Sequence, residues 1–489
     1  MKPAYNRIFY ILLLILLISD LAYSYMQYSK SIIDGDFPRI VFGTDGYDKI
    51  LADPFGWAAL NGESYVGPNR YTAHKVMSVY FKYIPLFLQN FLSPIDSVYL
   101  SINLVKIVVH VALLILLGYY ASVWFSIAKW KTYLITAVIV SPLLIGGNIY
   151  MDHMAIMSPP ITYVMFYALP AVALLTFYIP FYNYFITGTI SRSPIFIISW
   201  LIFLVFLVFF GPLIAPILLV SVVLIFTYSV VQNYKNSRGG TKVTIWRAIN
   251  DHNSVIIILS CATVILSLYS LYIGTKNIEN GEPMALGERY KVLLKGIIEV
   301  FFKKESGVMY IFFGVLFNLS LLYSLCRNDY QKYFRLVFLL LAFCAIYIAL
   351  LPLGGYRGYR PLILRQDTSL PVLIILFYIW ATSGIFLVKR IPRNYKAYPL
   401  GVIVFTCFFY TITDMQMPTV FSIDAERQFM ERAAASKIDC VPLERWAPVA
   451  SWGFNSKCED GENVAALLFY YHITPRKIYL YYPEVPEAK

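Results

Sequence analysis

The sequence predicts an all-α protein that crosses a membrane several times. Of its 489 residues, 59% are hydrophobic and only 14% are charged, whereas a soluble domain has about 45–50% apolar and about 25% charged residues. The mean hydropathy is +0.63. Tyrosine, which favours the boundary between acyl chains and water, occurs 41 times. This composition argues against a soluble protein and excludes a disordered or fibrous chain.

Eleven apolar stretches are candidates for transmembrane helices, because a hydrocarbon core of about 30 Å needs about 20 apolar residues in helical form. The fifth and sixth are separated by the turn signal Gly211-Pro212. The first is interpreted as an anchor, because it is long and lacks the small-residue cleavage site of a signal peptide. The stretches are 8–28, 98–121, 132–149, 160–186, 194–210, 212–231, 254–275, 308–325, 335–352, 370–387 and 397–413.

The lysines and arginines determine the predicted orientation of these helices. With the N-terminus in the cytoplasm, sixteen of them fall in the cytoplasmic segments, against only two acidic residues, Asp251 and Asp329. Positive charge collects on the cytoplasmic side of membrane proteins. The sequence therefore predicts a cytoplasmic N-terminus and an extracytoplasmic C-terminus. The net charge of +12 is then a topology signal, and nucleic acid is not expected as a partner.

This orientation places every long connection outside the cytoplasm. We expect a transmembrane domain over 1–413 and a small extracytoplasmic α/β segment over 414–489. Within that segment, Cys440 and Cys458 are interpreted as a disulfide, which an oxidising compartment would preserve; the alternative is two free thiols. Functional residues are therefore sought in the outer loops.

The first outer loop, 30–97, begins with Asp34-Gly35-Asp36. Two carboxylates at this spacing could bind a hard cation, or one could act as a general base; the alternative is a surface turn with solvated carboxylates. Glycine between them would let the backbone turn freely. Two amphipathic stretches, about 47–60 and 77–91, predict helices that lie flat in the membrane interface. A small packed outer domain is the alternative for them.

Other polar residues of the outer loops are weaker candidates. Arg70 ends a polar, turn-rich segment that could reach into a cavity, and His74 follows it. A single histidine is more often structural than catalytic. Asp152 adds a carboxylate in the second outer loop, where His153 could be a ligand or a proton carrier. Simple loop polarity explains this pair equally well.

A late outer loop, 353–369, is rich in arginine and tyrosine. Arg357, Arg360 and Arg365 run against the positive-inside trend, and Tyr359 lies between two of them. Guanidinium groups bind phosphate oxygens in a bidentate manner. The loop therefore predicts a binding site for the phosphate of a lipid carrier. Unspecific contact with lipid headgroups is the alternative.

Ionisable residues are few within the predicted spans, where Asp20, Lys106 and His110 are the clearest. Buried charge is costly in a membrane, so such residues are candidates for function. They do not form the series of acidic residues across many spans that a proton-coupled pump needs. The sequence also lacks a P-loop, a dinucleotide-binding fingerprint and a GxSxG motif. Nucleotide-driven transport is therefore unsupported.

These features together resemble the GT-C superfamily of integral-membrane glycosyltransferases. The shared features are about eleven spans, a long first outer loop that opens on acidic residues (Asp34-Gly35-Asp36), Asp152 in the next outer loop, and a late basic and aromatic loop before a small C-terminal segment. The resemblance implies an enzyme that moves a sugar from a polyprenyl-phosphate or polyprenyl-diphosphate carrier to a glycan, lipid or protein. It also implies a bacterial inner membrane as the location, with the active site facing the periplasm.

The resemblance also assigns roles to residues. Asp36 would deprotonate the acceptor, which then attacks the anomeric carbon with inversion, and Asp34 would orient it. Asp36 and Asp152 could bind a divalent metal, Mg²⁺ or Mn²⁺, although the second loop lacks a paired-aspartate motif. The expected substrate- and phosphate-binding residues are Arg70, His74, Asp152, His153, Arg357, Tyr359, Arg360 and Arg365.

Two other functions fit the same sequence. A polysaccharide polymerase or ligase also acts on lipid-linked glycans through outer-loop arginines, but it needs no carboxylate directly after the first span. A transporter or flippase needs polar groups through the centre of the bundle. A pocket that contains the first-loop carboxylates and the late arginines would favour the glycosyltransferase.

Overall fold

A computed structural model of the protein describes most of the chain. The described residues are 3–44, 46–125, 128–145, 156–236, 253–280, 284–303, 307–326, 330–356, 358, 360–391, 397–412, 423–443, 449–452 and 455–483. Asp152, His153, Arg357 and Tyr359 lie outside them.

The described residues are folded predominantly into α-helices. These are α1 Pro3–Tyr28, α2 Asp36–Phe42, α3 Tyr47–Ala52, α4 Trp57–Leu60, α5 Tyr71–Leu88, α6 Pro94–Ser122, α7 Lys129–Leu144, α8 Ile161–Thr187, α9 Pro194–Val208, α10 Ile214–Asn236, α11 Ser254–Gly274, α12 Leu286–Phe301, α13 Gly307–Cys326, α14 Gln331–Leu350, α15 Gln366–Arg390, α16 Ala397–Ile412, α17 Ile423–Ala435 and α18 Glu462–Tyr470.

Within the described ranges, eight helices are long and apolar enough to cross a membrane: α1, α6, α8, α10, α11, α13, α14 and α15. Two shorter apolar helices, α9 and α16, and the 16-residue α7 cover the other predicted stretches. The prediction of an all-α polytopic membrane protein is therefore confirmed. The count of eleven spans and their orientation stay predictions.

Helix α15 forms the centre of the bundle, whereas α1 lies at its periphery. In α15, 89% of the apolar window is buried, against 6% in α1. Gly314 of α13 allows a close approach to α15, because a Cβ atom there would lie 3.0 Å from the Trp380 ring. Most of the apolar surface of α1 is thus left for contact with lipid, because the residues that the structure describes do not cover it.

The connections gather at two ends of the bundle. At one end, the Lys389 ammonium lies 4.3 Å from the centre of the Phe125 ring, and Lys332 donates a hydrogen bond to the carbonyl of Ile186. We call this the basic end. The opposite end, called the loop end, carries the segments after α1, α11 and α14 together with the C-terminal helices. There the backbone N–H of Tyr65 donates to the carbonyl of Lys276 at 3.2 Å.

The first loop contains short helices and one long amphipathic helix. The predicted stretch 47–60 is divided into α3 and α4, because Asp53 ends one helix and caps the next. Its carboxylate accepts hydrogen bonds from the N–H groups of Trp57 (2.7 Å) and Ala58 (2.8 Å). Gly56, with a φ of 70°, makes the turn between them. The predicted stretch 77–91 largely coincides with α5.

The C-terminal residues form a small α/β unit docked on the loop end. Strands β1, Cys440–Pro442, and β2, Tyr479–Tyr481, pair in parallel. A disulfide joins Cys440 to Cys458 with Cα atoms 5.8 Å apart. The Tyr471 hydroxyl donates to the carbonyl of Phe81 in α5 at 2.8 Å. The unit therefore packs on the first loop through buried polar contacts.

Glu426 of α17 is the main buried anchor of this unit. Its carboxylate accepts hydrogen bonds from the backbone N–H of Ile33 (3.1 Å), the Tyr99 hydroxyl (2.7 Å) and the backbone N–H of Ala450 (3.0 Å). The side chain is fully buried. One carboxylate thus joins the segment after α1, the start of α6 and the C-terminal unit.

We expect Glu426→Ala to destabilise the docked unit, because three buried donors would lose their acceptor. An unsatisfied buried donor costs about 1–3 kcal/mol, so the melting temperature in detergent should fall by several degrees. Glu431→Ala on the exposed face of the same helix is the matched control. Equal melting temperatures for the two variants would contradict this role of Glu426.

Candidate functional site

Asp34 is buried at the loop end and holds the first turn of α8. Its carboxylate accepts hydrogen bonds from the backbone N–H of Thr162 (3.0 Å) and from the hydroxyl of the same residue (2.5 Å). A negative charge at this place also interacts favourably with the helix dipole. Burial nevertheless raises the pKa of Asp34 to about 6, although these hydrogen bonds oppose the shift. Asp34 as a whole is 2% exposed, so its carboxylate is suited to positioning more than to contact with substrate.

Asp36 lies two residues later, half-buried at the start of α2. Burial raises the pKa of this carboxyl, and a hydrogen bond from the Trp452 side chain together with the charges of Arg39 and Arg360 opposes the shift. Glu279 raises the pKa further. Of the two carboxylates in the Asp-Gly-Asp turn, Asp36 is therefore the one that combines partial exposure with nearby cations.

Glycine is needed at position 35 for a reason that differs from the predicted freedom of the backbone. Its backbone is right-handed helical, with a φ of −70°, a conformation open to any residue. What requires glycine is the C-terminal unit: a Cβ atom would lie 2.4 Å from the backbone nitrogen of Trp452 and 2.8 Å from the carbonyl carbon of Ser451. The missing side chain thus allows Trp452 to reach Asp36.

Arg70 and Glu279 form an ion pair beside Asp36. Their closest nitrogen and oxygen atoms are 3.4 Å apart, and both side chains are largely buried. Tyr47 lies within electrostatic range of Asp36, Glu279 and Arg70 at once. The structure therefore pairs Arg70, a predicted site residue, with Glu279, a neighbour of Asp36 that sequence reasoning missed.

His74 is a structural residue in this arrangement. Its Nδ1–H donates to the carbonyl of Arg70 at 2.8 Å, and its ring packs edge-on against Phe166 with centroids 4.6 Å apart. Burial lowers the pKa of His74 to about 3, so the imidazole is neutral at physiological pH. It supports the backbone that carries Arg70.

Arg360 and Arg365 share one buried acid, Asp367. Arg360 Nη1 lies 2.5 Å from an oxygen of Asp367, and Arg365 Nε lies 2.8 Å from the other oxygen. Arg365 also donates to the carbonyl of Leu362 at 2.8 Å. The predicted pair of arginines is thus brought together, but by an acid that the sequence analysis did not assign to the site.

Two tyrosines of α8 accept hydrogen bonds from Arg360. Its guanidinium donates to the Tyr163 hydroxyl at 3.4 Å and also to the Tyr167 hydroxyl. Tyr163 directly precedes a π-helical turn at Val164–Ala168, and Tyr167 lies within this turn. Pro170 follows it and has no N–H for the carbonyl of residue 166, a defect that the wider turn accommodates. The irregular turn therefore places two hydroxyls around one arginine.

An apolar cavity of about 480 Å³ lies within the bundle next to these tyrosines. Tyr167 is part of its wall, so one side chain contacts both the cavity and Arg360. The rest of the wall consists mainly of aliphatic and aromatic side chains. Among them are Leu117, Phe166, Leu174, Ile217, Leu370, Pro371 and Ile374.

The predicted metal site lies partly outside the described residues. Asp152, the expected partner of Asp36, and His153 lie outside them. Within the described ranges no three histidine, cysteine or acidic side chains are grouped as metal ligands would be. We therefore assign no step to a metal.

Several residues of the site were missed for an identifiable reason. Glu279, Asp367 and Trp452 come from three distant parts of the chain, and none belongs to a motif. The one signal in the sequence was Asp367, an acid two positions after Arg365 in an otherwise basic loop. Only the folded chain brings the others to Asp36 and Arg360.

Comparisons with known proteins do not identify the chain: no family model matches it, and no curated protein is significantly similar to it. The assignment of a function therefore rests on the geometry at the loop end.

The buried acids predict that stability depends on pH. Burial raises the pKa of Glu426 to about 7 from 4.5. The stabilising contribution of its neutral form is fully present below about pH 4.5 and is lost as pH rises through about 7. The difference in melting temperature between wild type and Glu426→Ala should therefore shrink from pH 4.5 to pH 8. A difference that stays constant over this range would contradict the raised pKa.

Proposed function

We propose that the protein is a membrane glycosyltransferase that uses a polyprenyl-phosphate-linked sugar. The observation that carries the proposal is the position of Arg360. Its charge acts on Asp36, and its guanidinium donates to Tyr167, which lines the apolar cavity. Asp36 therefore lies within electrostatic range of the cation that would bind the phosphate, and this cation contacts a wall residue of a cavity suited to a lipid chain.

The donor would bind with its lipid chain toward the cavity and its phosphate at Arg360. Apolar walls favour a hydrocarbon chain because its burial removes apolar surface from water. Arg360 has the planar fork that matches phosphate oxygens. Arg365 also binds Asp367, so this acid keeps a cation partner when Arg360 turns toward a phosphate.

Asp36 would act as the general base on the acceptor. The acceptor hydroxyl transfers its proton to the Asp36 carboxylate while its oxygen attacks the anomeric carbon. The bond between that carbon and the phosphate oxygen breaks, and the electron pair leaves with the lipid phosphate. Arg360 would stabilise the charge that develops there. The raised pKa of Asp36 supports this role, because a base works best when its pKa lies near the working pH.

The composition of the cavity also bears on the alternatives. A transporter for a hydrophilic solute needs polar groups along its path, whereas this cavity has a mainly apolar wall. A polymerase or ligase would use a similar lipid-linked donor but needs no carboxylate directly after the first span, so loss of transfer in Asp36→Asn would separate the proposed transferase from it. The positive-inside rule would place the basic end in the cytoplasm and the site outside it, where the disulfide would also persist.

We expect Asp36→Asn to reduce the rate of sugar transfer by about 100-fold or more, since a general base contributes about 10²–10⁴. The assay would use the purified protein in lipid nanodiscs with radiolabelled polyprenyl-phosphate hexoses as donors. Glycans extracted from cells that lack the protein would serve as acceptors. Asp48→Asn, on the exposed face of α3, is the matched control. Full activity of Asp36→Asn, at an unchanged melting temperature, would refute the mechanism.

We expect Arg360→Gln to raise the KM for the lipid-linked donor by about tenfold or more, because a charge-assisted hydrogen bond contributes about 1.5–3 kcal/mol. Asp367 keeps Arg365 as its partner, so the fold should persist. Lys291→Gln removes an exposed cation of α12 and serves as control. A change in kcat alone, with KM unaltered, would argue against phosphate binding by Arg360.

A further inference from the structure

A second cavity lies at the basic end, which is the end of the bundle opposite the candidate site. It has a volume of about 1060 Å³ and is formed by α1, α6 and α7. Its inner wall is aliphatic and includes Leu14, Leu17, Leu114 and Ala137. We call it the basic-end groove. None of its lining residues belongs to the site around Asp36.

The groove exists because α1 is attached mainly through its second half. Tyr28 and His110 share a hydrogen bond of 2.9 Å between the tyrosine hydroxyl and Nδ1, and Asp20 accepts a hydrogen bond from Ser141. These buried contacts hold α1 against α6 and α7 toward the loop end. The first half of α1 lines the groove instead of closing it.

The charged side chains of the groove are all basic. Arg7, Lys129 and Lys131 line it, and no acidic side chain is found in its wall among the residues that the structure describes. The Lys131 ammonium lies 4.7 Å from the centre of the Tyr10 ring and 5.5 Å from that of Trp130. Aromatic rings with lysines are typical of the headgroup level of a bilayer.

We propose that the basic-end groove binds one diacyl phospholipid with an anionic headgroup. The aliphatic wall would take the acyl chains. The ammonium and guanidinium groups of Lys129, Lys131 and Arg7 would surround the phosphate. Basic pockets between transmembrane helices are suited to anionic lipids, because the charges stay at headgroup depth while the chains remain in hydrocarbon. This proposal is independent of the proposed transferase activity.

Charge selects the occupant. A zwitterionic lipid would bring its own cation against three basic side chains, whereas an anionic lipid offers them net negative charge. Lipids that surround the protein unspecifically would bind with any headgroup, and their binding would not require several cations at one groove. A polyprenyl phosphate carries the same charge but has a single chain, so direct competition separates it from a diacyl lipid.

The test measures lipid binding to the full-length protein by native mass spectrometry. Dioleoyl phosphatidylglycerol, dioleoyl phosphatidylcholine and a polyprenyl phosphate are titrated separately and in competition. The variants are Lys129→Gln and Lys131→Gln. Arg192→Gln removes one exposed cation from the basic end outside the groove and is the matched control. Lys129 is itself exposed, so its substitution should leave the fold intact even if that of Lys131 does not.

We expect tight binding of one phosphatidylglycerol molecule and a preference over phosphatidylcholine. Lys129→Gln should weaken this binding about fivefold, the effect of about one surface charge on an anionic lipid, and Arg192→Gln should not change it. Equal binding of the two lipids would overturn the proposal. So would an equal loss in Lys129→Gln and Arg192→Gln, or displacement of phosphatidylglycerol by polyprenyl phosphate at equal concentration.

Discussion

The attachment of Asp34 to the first turn of α8 is the contact on which the loop end depends. It connects the segment that follows the first helix to the helix that carries Tyr163 and Tyr167. The Asp34 carboxylate is buried. The free-energy cost of removing it from water is offset by two hydrogen bonds that Thr162 donates. Since Asp36 is only two residues away, the same contact sets the distance between Asp36 and α8.

A second buried acid continues this arrangement into the C-terminal unit. Glu426 binds the backbone at Ile33 and at Ala450, so it ties the Asp-Gly-Asp turn to the segment that bears Trp452. The absence of a side chain at Gly35 then permits direct contact. A unit that is remote in sequence therefore completes the surroundings of Asp36.

The chemistry proposed for the loop end follows from charges that are shared among several partners. Asp367 binds Arg360 and Arg365 together, and Arg360 also reaches two tyrosines of α8. Such sharing allows a phosphate to replace one contact without leaving a buried charge unpaired, which would be costly. Across the bundle, the described charged side chains that line the largely apolar basic-end groove are all basic. The two places therefore differ in what they can bind, although both adjoin hydrocarbon.

Hydrophobic patterning alone determined that the chain is an all-α membrane protein, because the length and apolarity of a helix are local properties. The acidic turn Asp34-Gly35-Asp36, Arg70 and the late arginines could also be selected, since charge is unusual in this sequence. The tertiary structure decided their roles. It buried Asp34, made His74 a structural residue, and brought Glu279, Asp367 and Trp452 to the site from distant segments. Those contacts depend on how the helices pack, and no local pattern in the sequence encodes which distant side chains will meet.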